Sequence, residues 1–216
     1  MKVVTILSGG MDSATLLHDL VSQYEVYALS FDYGQKHVKE IECAKNLCAE
    51  LGVQHKVINL TSITQLLGGS SLTDDIEVPK GHYADENMKK TVVPNRNMIM
   101  LSIATAWAVS LEAEKVFFGA HAGDHAIYPD CRQEFVIAMS EVTKIANYHP
   151  VEIVAPYLQL DKGDIAIIGT KLNVPYEKTW TCYVGAEKHC GACGACVERK
   201  EAMEKAGVIE PEDFYG

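Results

Sequence analysis

Short β-branched runs of the chain alternate with segments in which apolar residues recur every three or four positions. The apolar runs predict strands at residues 2–7, 25–31, 54–60, 115–119 and 151–155, the first of them buried. The spacing between and after them predicts helices at residues 12–22, 36–51, 96–113, 132–147, 161–171 and 196–206. This alternation predicts an α/β fold, in which an open, Rossmann-like parallel sheet of about five strands is covered by helices on both faces.

Two stretches depart from the alternation. Residues 61–95 lack clean periodicity and contain several Gly, Asp and Pro residues, and long loops of this kind in compact domains are usually functional. Residues 175–216 carry a group of closely spaced cysteines. We therefore expect a domain at residues 1–174 that forms the sheet and binds a nucleotide, with a zinc-binding C-terminal subdomain at residues 175–216 packed on it.

Composition and charge narrow the class of protein. Of the 216 residues, 48% are hydrophobic and 22% are charged, which is ordinary for a folded domain with a sizeable core. The 29 acidic residues outnumber the 19 basic ones, and the formal net charge of -10 disfavours tight binding to long nucleic acid. The apolar start at residues 2–7 is too short for a signal peptide, and no apolar run approaches the ~18 residues of a membrane span. We expect a cytoplasmic protein that acts on small molecules, with no nucleic acid and no membrane as partner.

A glycine-rich turn with the sequence SGGMDS follows the first predicted strand, at residues 8–13. Paired glycines let the backbone turn tightly and bring its amides near a ligand, and the next helix offers unpaired N–H groups at its start. No lysine follows the glycines, so the turn is not the GxxxxGK loop of other nucleotide-binding proteins. The turn predicts a phosphate cradle. The alternative is a plain strand-to-helix turn in which Asp12 caps the helix.

Four of the seven cysteines lie close together, with the spacing Cys182-x7-Cys190-x2-Cys193-x2-Cys196. In a reducing compartment such clustering indicates a metal site rather than disulfides. Four thiolates with two C-x-x-C steps are typical of a closed tetrahedral zinc site, which stabilises the fold and does no chemistry. An iron–sulfur cluster is the alternative because it also takes four cysteines. A redox C-x-x-C pair fits less well, since two further cysteines lie beside it.

The SGGMDS turn resembles the SGGxDS loop of the N-type ATP pyrophosphatases, the PP-loop family, which have an adenine-nucleotide alpha hydrolase-like fold. Together with the cysteine spacing, the chain resembles the family of 7-cyano-7-deazaguanine synthases over nearly its whole length. The segments FDYGQKH at 31–37, VPNRN at 93–97 and YPDCR at 128–132 carry the resemblance too, whereas HAGDHA at 121–126 departs from that family's pattern. The resemblance also implies a homodimer.

The resemblance implies a reaction. One ATP adenylates the carboxylate of 7-carboxy-7-deazaguanine, and ammonia converts the adenylate to the amide. A second ATP adenylates the amide oxygen, and loss of AMP leaves the nitrile, 7-cyano-7-deazaguanine. Each activation releases pyrophosphate. Free ammonia is the expected nitrogen donor, Mg²⁺ is expected with ATP, and one structural Zn²⁺ is expected per chain.

The resemblance also implies which residues hold ATP. The expected ATP-binding residues are Leu7, Ser8, Gly9, Gly10, Met11, Asp12, Ser13, Ala14, Thr15, Leu16, Leu17, Tyr33, Gln35, Arg96, Gly119 and Lys162. Of these, Asp12, Ser13, Arg96 and Lys162 are expected to be catalytic. Arg96 and Lys162 each open a predicted helix, where a cation can clamp phosphate. A solvated surface position is the alternative for both.

The deazapurine is expected to contact His37, Asp124, Tyr128, Asp130 and Arg132. A guanine-like edge offers N1–H and an amino group to a carboxylate, and an acceptor oxygen to a donor. These needs favour Asp130 and Arg132 as the residues that read the base. Helix capping is the alternative for Asp130, and a structural role is the alternative for His37.

Three other functions fit parts of the sequence. A tRNA thiolase on the same scaffold would need a persulfide cysteine and a basic surface, which the acidic balance disfavours. An amide-forming ligase would stop after one adenylation, so that the ratio of ATP to product separates it from the nitrile-forming reaction. A nucleotide sensor with a zinc knuckle would bind ATP without turnover and would leave the polar segments at 31–37 and 119–132 unexplained.

Overall fold

The computed structural model describes residues 1–64, 66–81, 86–184 and 186–216 and contains an open sheet of five parallel strands. The strands are β1 (Lys2–Ile6), β2 (Glu25–Asp32), β3 (Gln54–Asn59), β4 (Lys115–Phe117) and β5 (Glu152–Val154). Their spatial order is β3-β2-β1-β4-β5. The predicted α/β fold with a parallel sheet is therefore confirmed.

Helices cover both faces of this sheet. They are α1 (Met11–Val21), α2 (Lys39–Leu51), α3 (Thr61–Thr64), α4 (Arg96–Leu111), α5 (Gln133–Ile145), α6 (Lys162–Lys171) and α7 (Gly194–Ala206). Apolar side chains of α4 and α5 share one core cluster with β2 and β4, and those of α1, α2, α6 and α7 share the other with β1 and β2. Strands β1, β2 and β4 are apolar on both sides, so both faces of the sheet are buried there, whereas the edge strand β3 keeps most of its side chains exposed.

Two helix starts differ from the sequence prediction by two or three residues. The second helix begins at Lys39 rather than at residue 36, because the backbone N–H of Lys36 donates to the carbonyl of Leu72 outside the helix. The last helix begins at Gly194 rather than at residue 196, so Cys196 lies in its first turn. At both places the chain contacts a segment distant in sequence, Leu72 in the first case and Lys80, which bridges to Cys193, in the second. Local periodicity does not record such contacts.

The strand order places a crevice between β1 and β4. From β1 the chain proceeds to β2 and β3 on one side, and later to β4 and β5 on the other. Ligands of open α/β sheets bind outside the carboxyl ends of the strands at such a switch in strand order. The SGGMDS turn follows β1 and Gly119 follows β4, so both reach this crevice.

The C-terminal segment packs against the sheet domain. The N–H of Trp180 donates to the carbonyl of Gly9 at 2.9 Å, and Met203 of α7 shares a core cluster with Val3 of β1. The division of the chain at residue 174 stays a prediction. Within the described ranges, no helix combines the length and the apolar character that crossing a membrane requires.

Candidate active site at the carboxyl edge of the sheet

A cavity of about 230 Å³ opens at the carboxyl ends of β1, β2 and β4. Its wall brings together many of the residues that the sequence predicts for the site. These are Leu7, Ser8, Gly10, Met11, Asp12, Ser13, Tyr33, His37, Arg96, Gly119, Asp124, Tyr128 and Lys162. Residues this distant in sequence converge because the parallel strands end at one edge of the sheet.

The SGGMDS turn has the geometry of an anion cradle. Gly9 has a φ of +93°, and a Cβ there would overlap the carbonyl oxygen of Glu40, so a side chain is excluded. The turn is braced from within, since Gly10 N donates to Ser8 Oγ at 3.2 Å and Ser13 Oγ donates to the Gly10 carbonyl at 3.1 Å. Among the described residues no side chain caps the first turn of α1, so Asp12 is not a helix cap and the N–H groups of this turn are left for a ligand.

A network of charged and titratable side chains lies beside this turn. Lys162 Nζ lies 2.6 Å from Glu198 Oε2 and 3.4 Å from Asp12 Oδ2, and His121 Nε2 lies 3.9 Å from Asp12 Oδ2. Burial alone would lower the pKa of Lys162, but the two carboxylates outweigh it and raise the pKa above its ordinary value. We call Asp12, His121, Lys162 and Glu198 the loop cluster. It holds a permanent cation next to the anion cradle.

The loop cluster has a donor suited to a hard cation. Within the described residues, Asp12 Oδ1 is buried and has no hydrogen-bond partner. A buried carboxylate oxygen without a partner costs free energy, and Mg²⁺ takes carboxylate oxygens as ligands. The residues present therefore fit a Mg²⁺ ion that arrives with a nucleotide.

A second set of polar side chains lies around the end of β2 and the start of α4. Gln35 Nε2 donates to Glu40 Oε1 at 3.0 Å, and His37 Nε2 lies 3.5 Å from Glu40 Oε2. Arg96 Nη1 donates to the Tyr33 hydroxyl at 3.4 Å, with its guanidinium 5.8 Å from the centre of the Tyr33 ring. We call Tyr33, Gln35, His37, Glu40 and Arg96 the strand cluster.

Burial sets the protonation states of the strand cluster. It lowers the pKa of His37 to about 4, and it raises the pKa of Tyr33 to about 12. It also raises the pKa of Glu40 to about 8, against the opposing effects of the Gln35 hydrogen bond and the charge of Arg96. His37 and Tyr33 are therefore neutral near pH 7, whereas Glu40 titrates close to it.

Several predicted site residues do not reach the cavity wall. Those outside it are Gly9, Ala14, Thr15, Leu16, Leu17, Gln35, Asp130 and Arg132. The four residues of α1 lie in the core beneath the turn, and Gln35 lies behind Glu40. Asp130 Oδ2 instead accepts the backbone N–H of Asn97 at the start of α4, and Arg132 Nε donates to the carbonyl of His125. Direct contact of Asp130 and Arg132 with a ligand stays a prediction, and their observed contacts hold the cavity wall in place.

Three titratable residues of these clusters escape sequence reasoning. Glu40 lies in the first turn of an amphipathic helix and Glu198 lies in the last helix, where acidic residues are normally solvated. His121 stands in the segment that departs from the family pattern. No local signal separates these residues from surface charges, because their burial depends on how distant segments pack.

The four clustered cysteines form a compact group of sulfur ligands. Their sulfur atoms all lie within 4.8 Å of one another. The backbone N–H groups of Cys190 and Val184 donate to Cys182 Sγ at 3.3 and 3.4 Å, and hydrogen bonds from the Cys193 and Cys196 thiols lower the pKa of Cys182. Clustered sulfurs that receive N–H bonds suit a bound metal ion, so the group can hold one.

His189 stands beside this group but faces elsewhere. Its Nε2 accepts the backbone N–H of Thr181 at 3.1 Å, and its ring stacks on Phe214 with a centroid distance of 4.1 Å. Trp180 connects the cysteine group to the cavity, because it lies on the cavity wall and its Nε1 donates to the carbonyl of Cys182 at 2.9 Å. Trp180 therefore contacts both the metal site and the cavity.

Comparisons with known proteins point to one family. The sequence model described as queuosine biosynthesis protein QueC matches residues 2–207. The chain is 61% identical to 7-cyano-7-deazaguanine synthase 1 of Colwellia psychrerythraea over 97% of both proteins. It is 60% identical to the 7-cyano-7-deazaguanine synthase of Hahella chejuensis, over 97% of this chain and 91% of that protein.

Solved structures of lower similarity share the fold. The U34-tRNA thiolase NcsA of Methanococcus maripaludis, solved with its 4Fe-4S cluster, is 16% identical, with a TM-score of 0.52, and the match covers 98% of this chain and 74% of that one. The NH3-dependent NAD synthetase of Campylobacter jejuni is 18% identical, with a TM-score of 0.50, and the match covers 99% and 80%. At these identities the likeness concerns the fold alone.

Proposed function

The chain belongs to the QueC family of queuosine biosynthesis proteins, and from that membership we propose that it converts 7-carboxy-7-deazaguanine and ammonia to 7-cyano-7-deazaguanine. The enzyme is a carbon–nitrogen ligase that spends ATP to activate a carboxylate. Two adenylations, first of the acid and then of the amide, release AMP and pyrophosphate. AMP is a good leaving group, whereas a carboxylate or amide oxygen is a poor one.

One observation carries this proposal. An anion cradle and a buried cation lie in the same cavity, whose wall is lined by polar groups and rings. The amides of the SGGMDS turn and the start of α1 would hold the phosphates. Lys162 lies next to this cradle and stays charged, so it would stabilise the negative charge that develops on the leaving pyrophosphate.

Arg96 would act on the side of the reacting atoms opposite Lys162. Its guanidinium lies on the cavity wall at the start of α4 and donates to the Tyr33 hydroxyl at 3.4 Å. A planar cation with several donors can hold a carboxylate and a phosphate oxygen at the same time. This would keep the substrate carboxylate in line with the α-phosphate. Mg²⁺ held at Asp12 would neutralise charge on the triphosphate.

The metal of the cysteine group is proposed to be one structural Zn²⁺ per chain. Four sulfurs fill a tetrahedral shell and leave no position for substrate. An iron–sulfur cluster would use the same ligands. Metal analysis of the purified protein separates the two, since iron and labile sulfide would be present in one case and zinc alone in the other.

A homodimer in the cytoplasm is also proposed. Ile137, Val142, Ile145 and Tyr148 are exposed on α5 and just beyond it. Apolar side chains gathered on one exposed helix are typical of an interface, and self-association of one patch gives a two-fold dimer. The molecular mass in solution, measured by light scattering, tests the dimer.

One incubation tests the reaction. Purified protein is mixed with 7-carboxy-7-deazaguanine, ammonium and MgATP, and the products are identified by mass spectrometry. The nitrile with two AMP per product is expected. If the amide accumulates with one AMP, the enzyme is a simpler ligase. If ATP binds and no AMP forms, the chain is a nucleotide-binding protein of another kind and the proposal is wrong.

A further inference from the structure

The guanine-like edge of the proposed substrate requires a carboxylate in the cavity. The sequence favours Asp130 for this role, but Asp130 caps α4 from outside the cavity wall. Among the described residues, the carboxylates on that wall belong to Asp12, Glu40 and Asp124. Asp12 and Asp124 both lie beside His121, next to the anion cradle. Glu40 is left as the candidate that can face a base.

The Gln35 side chain holds the carboxylate of Glu40 in place on the side away from the cavity. Gln35 Oε1 accepts the N–H of Tyr33 at 2.9 Å, and Gln35 Nε2 donates to the carbonyl of Phe31 at 3.0 Å. These two bonds fix the orientation of the Gln35 amide, which then donates to Glu40 Oε1 at 3.0 Å. Each carboxylate oxygen carries two lone pairs, so Glu40 can still accept a hydrogen bond from a ligand at both oxygens.

Rings and an unused polar atom surround this carboxylate. The His37 ring lies 5.6 Å from the ring of Tyr183, and both residues lie on the cavity wall with Tyr33. His37 Nδ1 is buried and has no hydrogen-bond partner among the described residues. Ring faces suit a planar ligand, and an unpaired buried nitrogen indicates that the ligand is polar at its edge.

The backbone holds Glu40 at a fixed position relative to the anion cradle. The first turn of α2 presses on the SGGMDS turn so closely that only glycine fits at residue 9, against the Glu40 carbonyl. A base read by Glu40 and a nucleotide held by the turn would therefore be placed against each other with little freedom. Such placement lowers the barrier of a reaction between two bound molecules.

We propose that Glu40 is the specificity-determining residue that accepts hydrogen bonds from the N1–H and 2-amino groups of the deazaguanine. The inference rests on the proposed function. The guanine edge presents two adjacent donors, which match two carboxylate oxygens. The edge of adenine pairs an amino donor with the acceptor N1, which a carboxylate repels. The O6 atom is adjacent to the substrate carboxylate, so Arg96, which is held by the Tyr33 hydroxyl at 3.4 Å, can donate to both.

The experiment compares two substrates and three proteins. The substrates are 7-carboxy-7-deazaguanine and the analogue that lacks only the 2-amino group. The proteins are the wild type, Glu40→Gln and the control Glu42→Gln, which changes an exposed carboxylate on the same helix. KM and kcat are measured for the deazapurine and for ATP. Zinc content and thermal unfolding report whether each variant is folded.

Above pH 8, where the Glu40 carboxyl is ionised, the wild type should prefer the 2-amino substrate by about 10- to 100-fold in kcat/KM, because loss of a donor leaves a buried carboxylate oxygen unpaired. Glu40→Gln should raise KM for the deazapurine by a similar factor, abolish the preference and leave KM for ATP within about threefold of wild type. Glu42→Gln should match the wild type in all these quantities.

Several outcomes would overturn the inference. A rise in KM for ATP rather than for the deazapurine would place adenine at Glu40. A wild type that uses both deazapurines equally well would show that the 2-amino group is not read at all, and this arm remains decisive even if Glu40→Gln does not fold. If the wild type forms no nitrile from either substrate, the proposed function itself has failed.

Discussion

The loop cluster and the strand cluster share one cavity but differ in kind. In the loop cluster, Lys162 lies between the carboxylates of Asp12 and Glu198, and the groups are held by charge. In the strand cluster, one carboxylate and one guanidinium are surrounded by rings and neutral amides. Arg96 contacts the Tyr33 hydroxyl, and Glu40 contacts Gln35.

This difference matches two kinds of ligand. Charge shifts onto the leaving pyrophosphate as the bond of a triphosphate is cleaved, and a preorganised cation beside it stabilises that charge. A planar base keeps its charge, and hydrogen-bonding partners at fixed positions distinguish it from similar bases. The cavity therefore has a side suited to chemistry and a side suited to recognition, and substitutions on the two sides should have separable effects.

Loss of the metal should impair both the chemistry and the recognition of substrate. Cys193→Ser removes a proposed zinc ligand at the start of α7, the helix that carries Glu198, while Trp180 connects the site to the cavity. We expect loss of zinc, aggregation and no measurable activity, because ligand binding supplies folding free energy in small zinc modules. Zinc content, light scattering and AMP formation measure this. A soluble, active, metal-free variant would contradict the structural role.

Removal of the buried cation should harm chemistry alone. Lys162→Ala should lower kcat for AMP formation by about 10²- to 10³-fold, since a preorganised charge beside the leaving group is lost. KM for the deazapurine should change little. Lys171→Ala, at the exposed far end of the same helix, is the control and should behave as wild type. An equal loss in both variants would show that helix stability, not charge, is measured.

The fold was largely predictable because it depends on local patterns. The strands are apolar runs in the sequence, and each run predicts a strand that the structure contains. The start of α2 was wrong by three residues, since the bond from Lys36 to Leu72 joins segments far apart in sequence. The extent of β4 was also overestimated, because its apolar run continues past Phe117 into the cavity wall.

The site was predictable where one segment contains all its parts. The SGGMDS turn and the four cysteines are of this kind. Glu40 and Glu198 are not, because only tertiary packing distinguishes a buried carboxylate from a solvated one on an amphipathic helix. The sequence favours Asp130 as the base-reading carboxylate, and its contact with a ligand stays a prediction. Local patterns do not show that the first turn of α4 uses this carboxylate as a cap.

The pH dependence of substrate binding should report on Glu40. Its pKa is raised to about 8 by burial, so the ligand-free carboxyl is protonated below that pH and loses an acceptor oxygen. KM for the deazapurine should therefore rise by up to about tenfold per pH unit as the pH falls below 8. The pKa of His37 is near 4 and that of Tyr33 near 12, so neither titrates in this window, and Arg96 stays charged.

Matched proteins make this profile specific. In Glu40→Gln the KM for the deazapurine should be high and flat from about pH 6 to pH 9, whereas Glu42→Gln should keep the wild-type slope. KM for ATP should show no such slope in any of the three. A wild-type KM for the deazapurine that does not change across this range would contradict the assignment of the titrating group.

The smallest effect should come from Glu198, whose role is to position Lys162. Glu198→Gln keeps the size of the side chain and removes the charge 2.6 Å from Lys162 Nζ. Burial raises the pKa of Glu198, and the charge of Lys162 opposes the shift. Lys162 should then turn more toward Asp12 and compete with Mg²⁺ there. KM for MgATP should rise by about threefold to tenfold, and more Mg²⁺ should offset the loss.

The control is Glu204→Gln, which changes an exposed carboxylate on the same helix and should behave as wild type. If excess Mg²⁺ leaves the Glu198→Gln defect unchanged, Glu198 acts through the packing of α7 instead.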